Sequence, residues 1–174
     1  MLRRLGRPGA GDRSELRLAY TDRVSYFEDP AEFAVADARH VLLAGDESSI
    51  GELAEVLALL PICARGQVFV EVDDAASITT LDSPGRVVVT WLVRAARSGE
   101  PGTGSRCARG QAVARATRAW ASEMLDVDGH DAADYHVWIG GETEHLTGLR
   151  NDLRMTLASI GARQRSSSVE RASH

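Results

Sequence analysis

Lysine is absent from this chain: all twenty basic residues among its 174 are arginine. Schiff-base chemistry and any phosphate loop that depends on a lysine ammonium are therefore excluded. Cysteine is scarce as well. Cys63 and Cys107 stand far apart without the paired spacing of metal or redox motifs, which predicts reduced thiols in a cytoplasmic protein. No apolar stretch of signal or membrane length follows Arg3, Arg4 and Arg7, so neither secretion nor a membrane span is expected. Basic charge is in deficit, with 25 acidic residues against 20 basic ones and a net charge of -5. That balance argues against a general nucleic-acid binder, whose affinity rests on an excess of cationic contacts. The five histidines show no ligand spacing, so neither a metal site nor a Cys/His or Ser/His nucleophile can be argued.

What is present is patterned. A hydrophobic fraction of 44% over 174 residues suits one globular domain with a sizeable core. Residues 1–19, rich in Gly and Arg, read as a mobile lead-in, and structure is expected from Tyr20. Tyr26, Phe27 and Phe33 surround Asp29-Pro30, which predicts an irregular segment or turn covering one edge of a sheet. A first main strand is expected over 39–44, followed by a helix with Ile50, Leu53, Ala54, Leu57 and Leu60 on one face and Pro61 as its stop. Strands follow over 67–72, ending at Asp73-Asp74, and over 86–92, where Val87-Val88-Val89-Thr90-Trp91 is continuous enough to be covered on both faces. A polar loop with four glycines and a proline, 97–110, reads as disordered. Then come a helix over 111–125, a strand over 135–139, a helix over 142–158 and, beyond Gly161, a disordered tail. The order predicts an α/β fold: an open, mostly parallel sheet with helices on both faces, in a single domain over 20–161.

Two segments share one plan: an apolar run, a glycine, an acidic residue and a helix opened by a hydroxyl residue. They are Val41-Leu42-Leu43-Ala44-Gly45-Asp46-Glu47-Ser48 and Val137-Trp138-Ile139-Gly140-Gly141-Glu142-Thr143. In a parallel sheet the strand's C-terminal end and the next helix's N-terminus meet at such turns, and ligands bind there. The first turn could offer backbone N–H groups to phosphate, or it could be an acidic helix start capped by Ser48, the reading that Asp46 and Glu47 favour. Gly99-Glu100-Pro101-Gly102-Thr103-Gly104 has phosphate-loop glycine spacing, but no lysine and no strand feeding it, so it reads as a linker. Arg94, Arg97, Arg106, Arg109, Arg115 and Arg118 form a cationic stretch that could meet a 2′-phosphate or a carboxylate-bearing chelate, or simply pair with neighbouring acids. Asp73 and Asp74 stand where a dinucleotide fold places an acid on ribose hydroxyls.

Taken together, Leu42 to Ser48, Val87 to Arg94 and Val137 to Glu142 resemble the siderophore-interacting protein family, over about His40 to Leu157. The likeness is to the C-terminal, pyridine-nucleotide-binding half of those flavoproteins, which are similar to ferredoxin reductases. The resemblance implies a Rossmann-like nucleotide-binding domain taking part in ferric-siderophore reduction, with NAD(P)H as hydride donor, FAD as carrier and iron released as Fe(II). It places cofactor-binding residues by position at Gly45, Asp46, Glu47 and Ser48, at Trp91 and Arg94, and at Gly141, Glu142 and Thr143, with Arg94 toward phosphate or siderophore charge. The first forty residues are too few to close the family's flavin barrel, and no aromatic follows Trp138 where the family tends to close on one. FAD is therefore expected only through a separate partner, a flavin-carrying reductase subunit, with the ferric siderophore as the other partner. The alternative is a non-catalytic binding or regulatory module that keeps the fold without redox activity.

Overall fold

A computed structural model describes residues 25–27, 40–125 and 135–172. The expected lead-in over 1–19, the start at Tyr20 and the Asp29-Pro30 turn lie outside the described residues. The elements are strands β1 (Ser25–Phe27) and β2 (His40–Asp46), helix α1 (Ile50–Leu59), strands β3 (Arg65–Val72) and β4 (Arg86–Val93), helix α2 (Gln111–Met124), strand β5 (Tyr135–Ile139) and helix α3 (Glu144–Ala172).

The strands form one sheet in the order β1-β5-β2-β3-β4, with every pairing parallel. Side chains alternate across it as a pleated strand requires. Val41, Leu43, Val68, Val70 and Trp138 join Leu53, Val56 and Leu57 of α1 in one cluster. Leu42, Ala44, Phe69, Val137 and Ile139 join Val113 and Ala121 of α2 and Leu146, Leu149 and Leu153 of α3 in the other. Both faces are thus covered, which is why β2 is buried from Val41 to Asp46 and reads as a continuous apolar run. Each side chain taken fully out of water here contributes about 1.5–3 kcal/mol.

Three local expectations are corrected. Ser25–Phe27 is not an irregular cover but an edge strand, with Tyr26 opposite Val137 of β5; aromatic residues suit a pleated surface. The 97–110 loop is not disordered. Ser98 and Arg106 form an antiparallel bridge, the Gly99 amide donates to the Ser105 carbonyl at 2.9 Å, and Arg115 donates to the carbonyls of Ser98 and Gly99. Polar loops of this kind are ordered by hydrogen bonds rather than by apolar contact. The last helix continues to Ala172 instead of ending near Ala158. No proline ends its backbone ladder, and Ala, Arg and Gln support helix.

The path from β2 through α1 to β3 and β4 runs to one side of β2, and α2 then carries the chain back over the sheet to β5 on the other side. The order of strands reverses between β2 and β5, and the crevice at their C-terminal ends is where an open α/β sheet leaves room for a ligand. No helix among the described residues is long and apolar enough to cross a membrane.

Candidate functional site

The two like turns come together at this crevice. The Gly140 amide donates to the Ala44 carbonyl at 2.8 Å, which continues the β2–β5 ladder one residue past the strand. A side chain on Gly45 would strike the Ser49 hydroxyl, and one on Gly140 would meet Ser49 Cβ at 2.5 Å. Gly141 adopts φ +89°, which favours glycine, with its backbone against Leu146 and Asp46. The glycines thus let two turns interlock.

Between the turns lies an open cleft of about 590 Å³, lined among others by Ser48, Ser49, Arg109, Gly141, Thr143 and Arg150. Its volume is within the usual range for small-molecule sites. Arg150, from α3, donates to the carbonyls of Ile139 at 3.1 Å and of Gly141, so it braces the end of β5. Thr143 precedes α3, and its hydroxyl accepts from the Leu146 amide at 3.4 Å; the helix opens two residues later than the sequence predicts. Glu52 and Glu142 add acidic groups to the lining.

The first turn is built differently from the expectation that Ser48 caps the helix. Asp46 caps a short 3-10 turn, Glu47–Ser49, and its carboxylate accepts from the Ser48 amide at 3.0 Å and the Ser48 hydroxyl at 2.5 Å. Asp46 is fully buried, and its other oxygen accepts from Arg109 Nε at 3.0 Å. The shorter side chain sits at the non-helical position from which an acceptor reaches the N2 amide. The phosphate-cradle reading of this turn loses its amide to Asp46.

Glu71 was not singled out from the sequence, yet it organises the neighbouring corner. It is fully buried on β3 and accepts from the amides of Gly110 at 2.7 Å, Ala112 at 2.9 Å and Val113 at 3.1 Å. Its carboxylate fills the N-terminus of α2, where the helix dipole and unpaired N–H groups favour an anion. Gly110, with φ +80°, makes the turn that aims these amides inward. The signal was in the sequence: a charge inside a strand covered on both faces has to be paired.

Arg94 joins the same corner, donating to Asp73 at 2.7 Å and Glu71 at 3.3 Å, with Glu47 at 3.7 Å. Burial opposes its charge, but the Asp73 hydrogen bond, the attraction of Glu47 and Asp73 and the Glu71 bond outweigh it and raise its pKa. Asp74 caps the turn after β3 through the Ala76 amide at 2.8 Å. Of the other arginines in the cationic stretch, Arg118 pairs with Asp152 at 2.7 Å and Arg115 holds the loop. Neutralisation by neighbouring acids therefore accounts for Arg94 and Arg118.

Of the residues placed from the sequence, Gly45, Asp46, Glu47, Ser48, Gly141, Glu142 and Thr143 lie at the paired turns. Arg94 meets this group only through Glu47. Trp91 packs partly buried against the α1-side cluster and is not part of the cleft lining. Among the described residues no group of three histidine, cysteine, aspartate or glutamate side chains could hold a metal ion.

An all-parallel α/β domain with a polar crevice at its switch point defines the structural class. Residues 38–167 match the family model described as "Siderophore-interacting protein", and the chain belongs to that family. It is 29% identical over 113 residues to the ferric vibriobactin reductase ViuB of Vibrio cholerae, covering 65% of this chain and 36% of that protein. It is 33% identical over 123 residues to an uncharacterised protein of Mycobacterium tuberculosis, covering 69% of this chain and 37% of that one. Among solved structures, a siderophore utilization protein from T. fusca is 29% identical, with a TM-score of 0.49 over 69% of this chain and 40% of that one. The chain thus spans little more than a third of the curated relatives it matches.

Proposed function

We propose that this chain acts in cytoplasmic siderophore iron utilisation, binding NAD(P)H at the β2–β5 crevice for ferric-siderophore reduction with a flavin-carrying partner. The observation that carries this reading is the cleft: about 590 Å³ at the switch point, with three hydroxyl residues and two arginines in its lining. Family membership and the name of the Vibrio cholerae relative support the same chemistry. The nucleotide would supply the hydride and the flavin would split it into the single electrons that iron accepts; this chain's part is to hold and orient the nucleotide.

The residues present fit such a ligand unevenly. Gly140 and Gly141 bring backbone close to the cleft, and Ser48, Ser49 and Thr143 provide hydroxyls around it. The first turn and the N-terminus of α2 already hold the carboxylates of Asp46 and Glu71, so phosphate binding falls to the cleft's arginines. A second reading, a non-catalytic binding module, is favoured by Arg94, which Glu71 and Asp73 of its own chain engage.

Calorimetric titration of the 174-residue chain with NADH and NADPH tests the choice. Saturable binding of either nucleotide is expected; no heat at millimolar nucleotide would leave the binding module as the better account.

A further inference from the structure

We propose that Arg109 is the phosphate-recognising residue of the cleft, held ready by Asp46; this rests on the nucleotide reading above. Six arginines crowd the stretch from Arg94 to Arg118, but of these only Arg109 is among the residues lining the cleft. Its Nε donates to the buried Asp46 carboxylate at 3.0 Å, with Glu47 at 3.7 Å, while its side chain stays 45% exposed. Among the described residues its two Nη groups make no hydrogen bond. The end-on fork of the guanidinium is thus left for a ligand, and a fork of two N–H donors matches the geometry of phosphate oxygens.

The other cation of the lining has a different task, since Arg150 is committed to the carbonyls that end β5. Arg109 immediately precedes Gly110, whose amide is fixed on Glu71 at 2.7 Å. Its backbone is therefore anchored on one side and its Nε on the other, so little side-chain freedom remains to be lost on binding. Asp46 acts as a positioning residue: it touches the guanidinium, not the ligand.

The test compares Arg109→Gln with the unaltered chain by calorimetry, using NADH, reduced nicotinamide mononucleotide with one phosphate, and reduced nicotinamide riboside with none. Loss of a charge-assisted pair of bonds predicts a weakening of about 10- to 100-fold for the phosphate-bearing ligands and an unchanged affinity for the riboside. Arg109→Lys, which keeps the charge and loses the fork, should fall between. Equal weakening of all three ligands would mean that Arg109 only supports the cleft and would overturn the assignment, as would unchanged affinity throughout. The double variant Asp46→Asn with Arg109→Gln removes the carboxylate left unpaired, and must show the same phosphate selectivity if the single variant is unstable. An unaltered chain that binds none of the three sinks the nucleotide reading and this assignment together; binding that survives Arg109→Gln intact sinks this assignment alone.

Discussion

Glu71→Gln isolates the buried carboxylate that ties β3 to α2, because the two side chains have nearly the same shape. One carboxylate oxygen accepts from the Gly110 amide and from Arg94, and the other accepts from the amides of Ala112 and Val113. Whichever oxygen becomes an NH2 group, two accepted hydrogen bonds are lost and a donor is turned against donors. At a net value of about 1 kcal/mol each, the lost bonds account for about 2 kcal/mol. Removal of the charge from the helix N-terminus adds up to about 1 kcal/mol. A loss near 3 kcal/mol in a chain of this size corresponds to a melting point lower by roughly 6–12 °C. Urea unfolding followed by circular dichroism should show a lower midpoint with an unchanged slope. Glu123→Gln, exposed on the same helix, should stay within about 0.5 kcal/mol. A Glu71→Gln variant equally close to the unaltered chain would refute the view that this carboxylate holds the corner together.

Gly140→Ala forces a methyl group against Ser49 and Trp138, so a loss of about 1–3 kcal/mol is expected in the same unfolding assay. Arg94→Ala should lower stability by about 1–3 kcal/mol by taking one partner from the buried Glu71; an unchanged midpoint would show that Glu71 does not depend on this arginine. NADPH should bind no more tightly than NADH, because Glu47, Glu71 and Asp73 engage Arg94; a tenfold preference for NADPH in parallel titrations would show that Arg94 leaves these acids for the 2′-phosphate. Burial pushes the Tyr135 phenol up, with Arg65 opposing. The folded chain then holds this proton to higher pH than the unfolded one, so stability present below about pH 10 falls as pH rises through the folded value. Tyr135→Phe should flatten that part of the decline in urea midpoints between about pH 9 and 11.

The sheet was legible because its strands are written as apolar runs. Val41-Leu42-Leu43-Ala44 and Val68-Phe69-Val70 lie buried between two layers of helices, and only a parallel sheet makes such runs common. The paired turns were legible for a related reason, since glycine is required where Gly140 and Gly141 pass close to Ser49, Trp138 and Leu146. What sequence patterns did not reveal are contacts between distant residues. Arg109 reaches Asp46 across 63 positions and Glu71 reaches Ala112 across 41, and no local periodicity records either pair. The edge strand Ser25–Phe27 was missed because three residues are too few to display alternation. The loop 97–110 was misjudged because its order comes from backbone hydrogen bonds, which composition does not express.

Amide NMR during a titration with NADH reports both whether the nucleotide binds and where. Binding at the β2–β5 crevice would give saturable shifts concentrated at Ser48, Ser49, Arg109 and Gly140 to Thr143. Saturable shifts confined to another face of the sheet, or none at millimolar nucleotide, would contradict it.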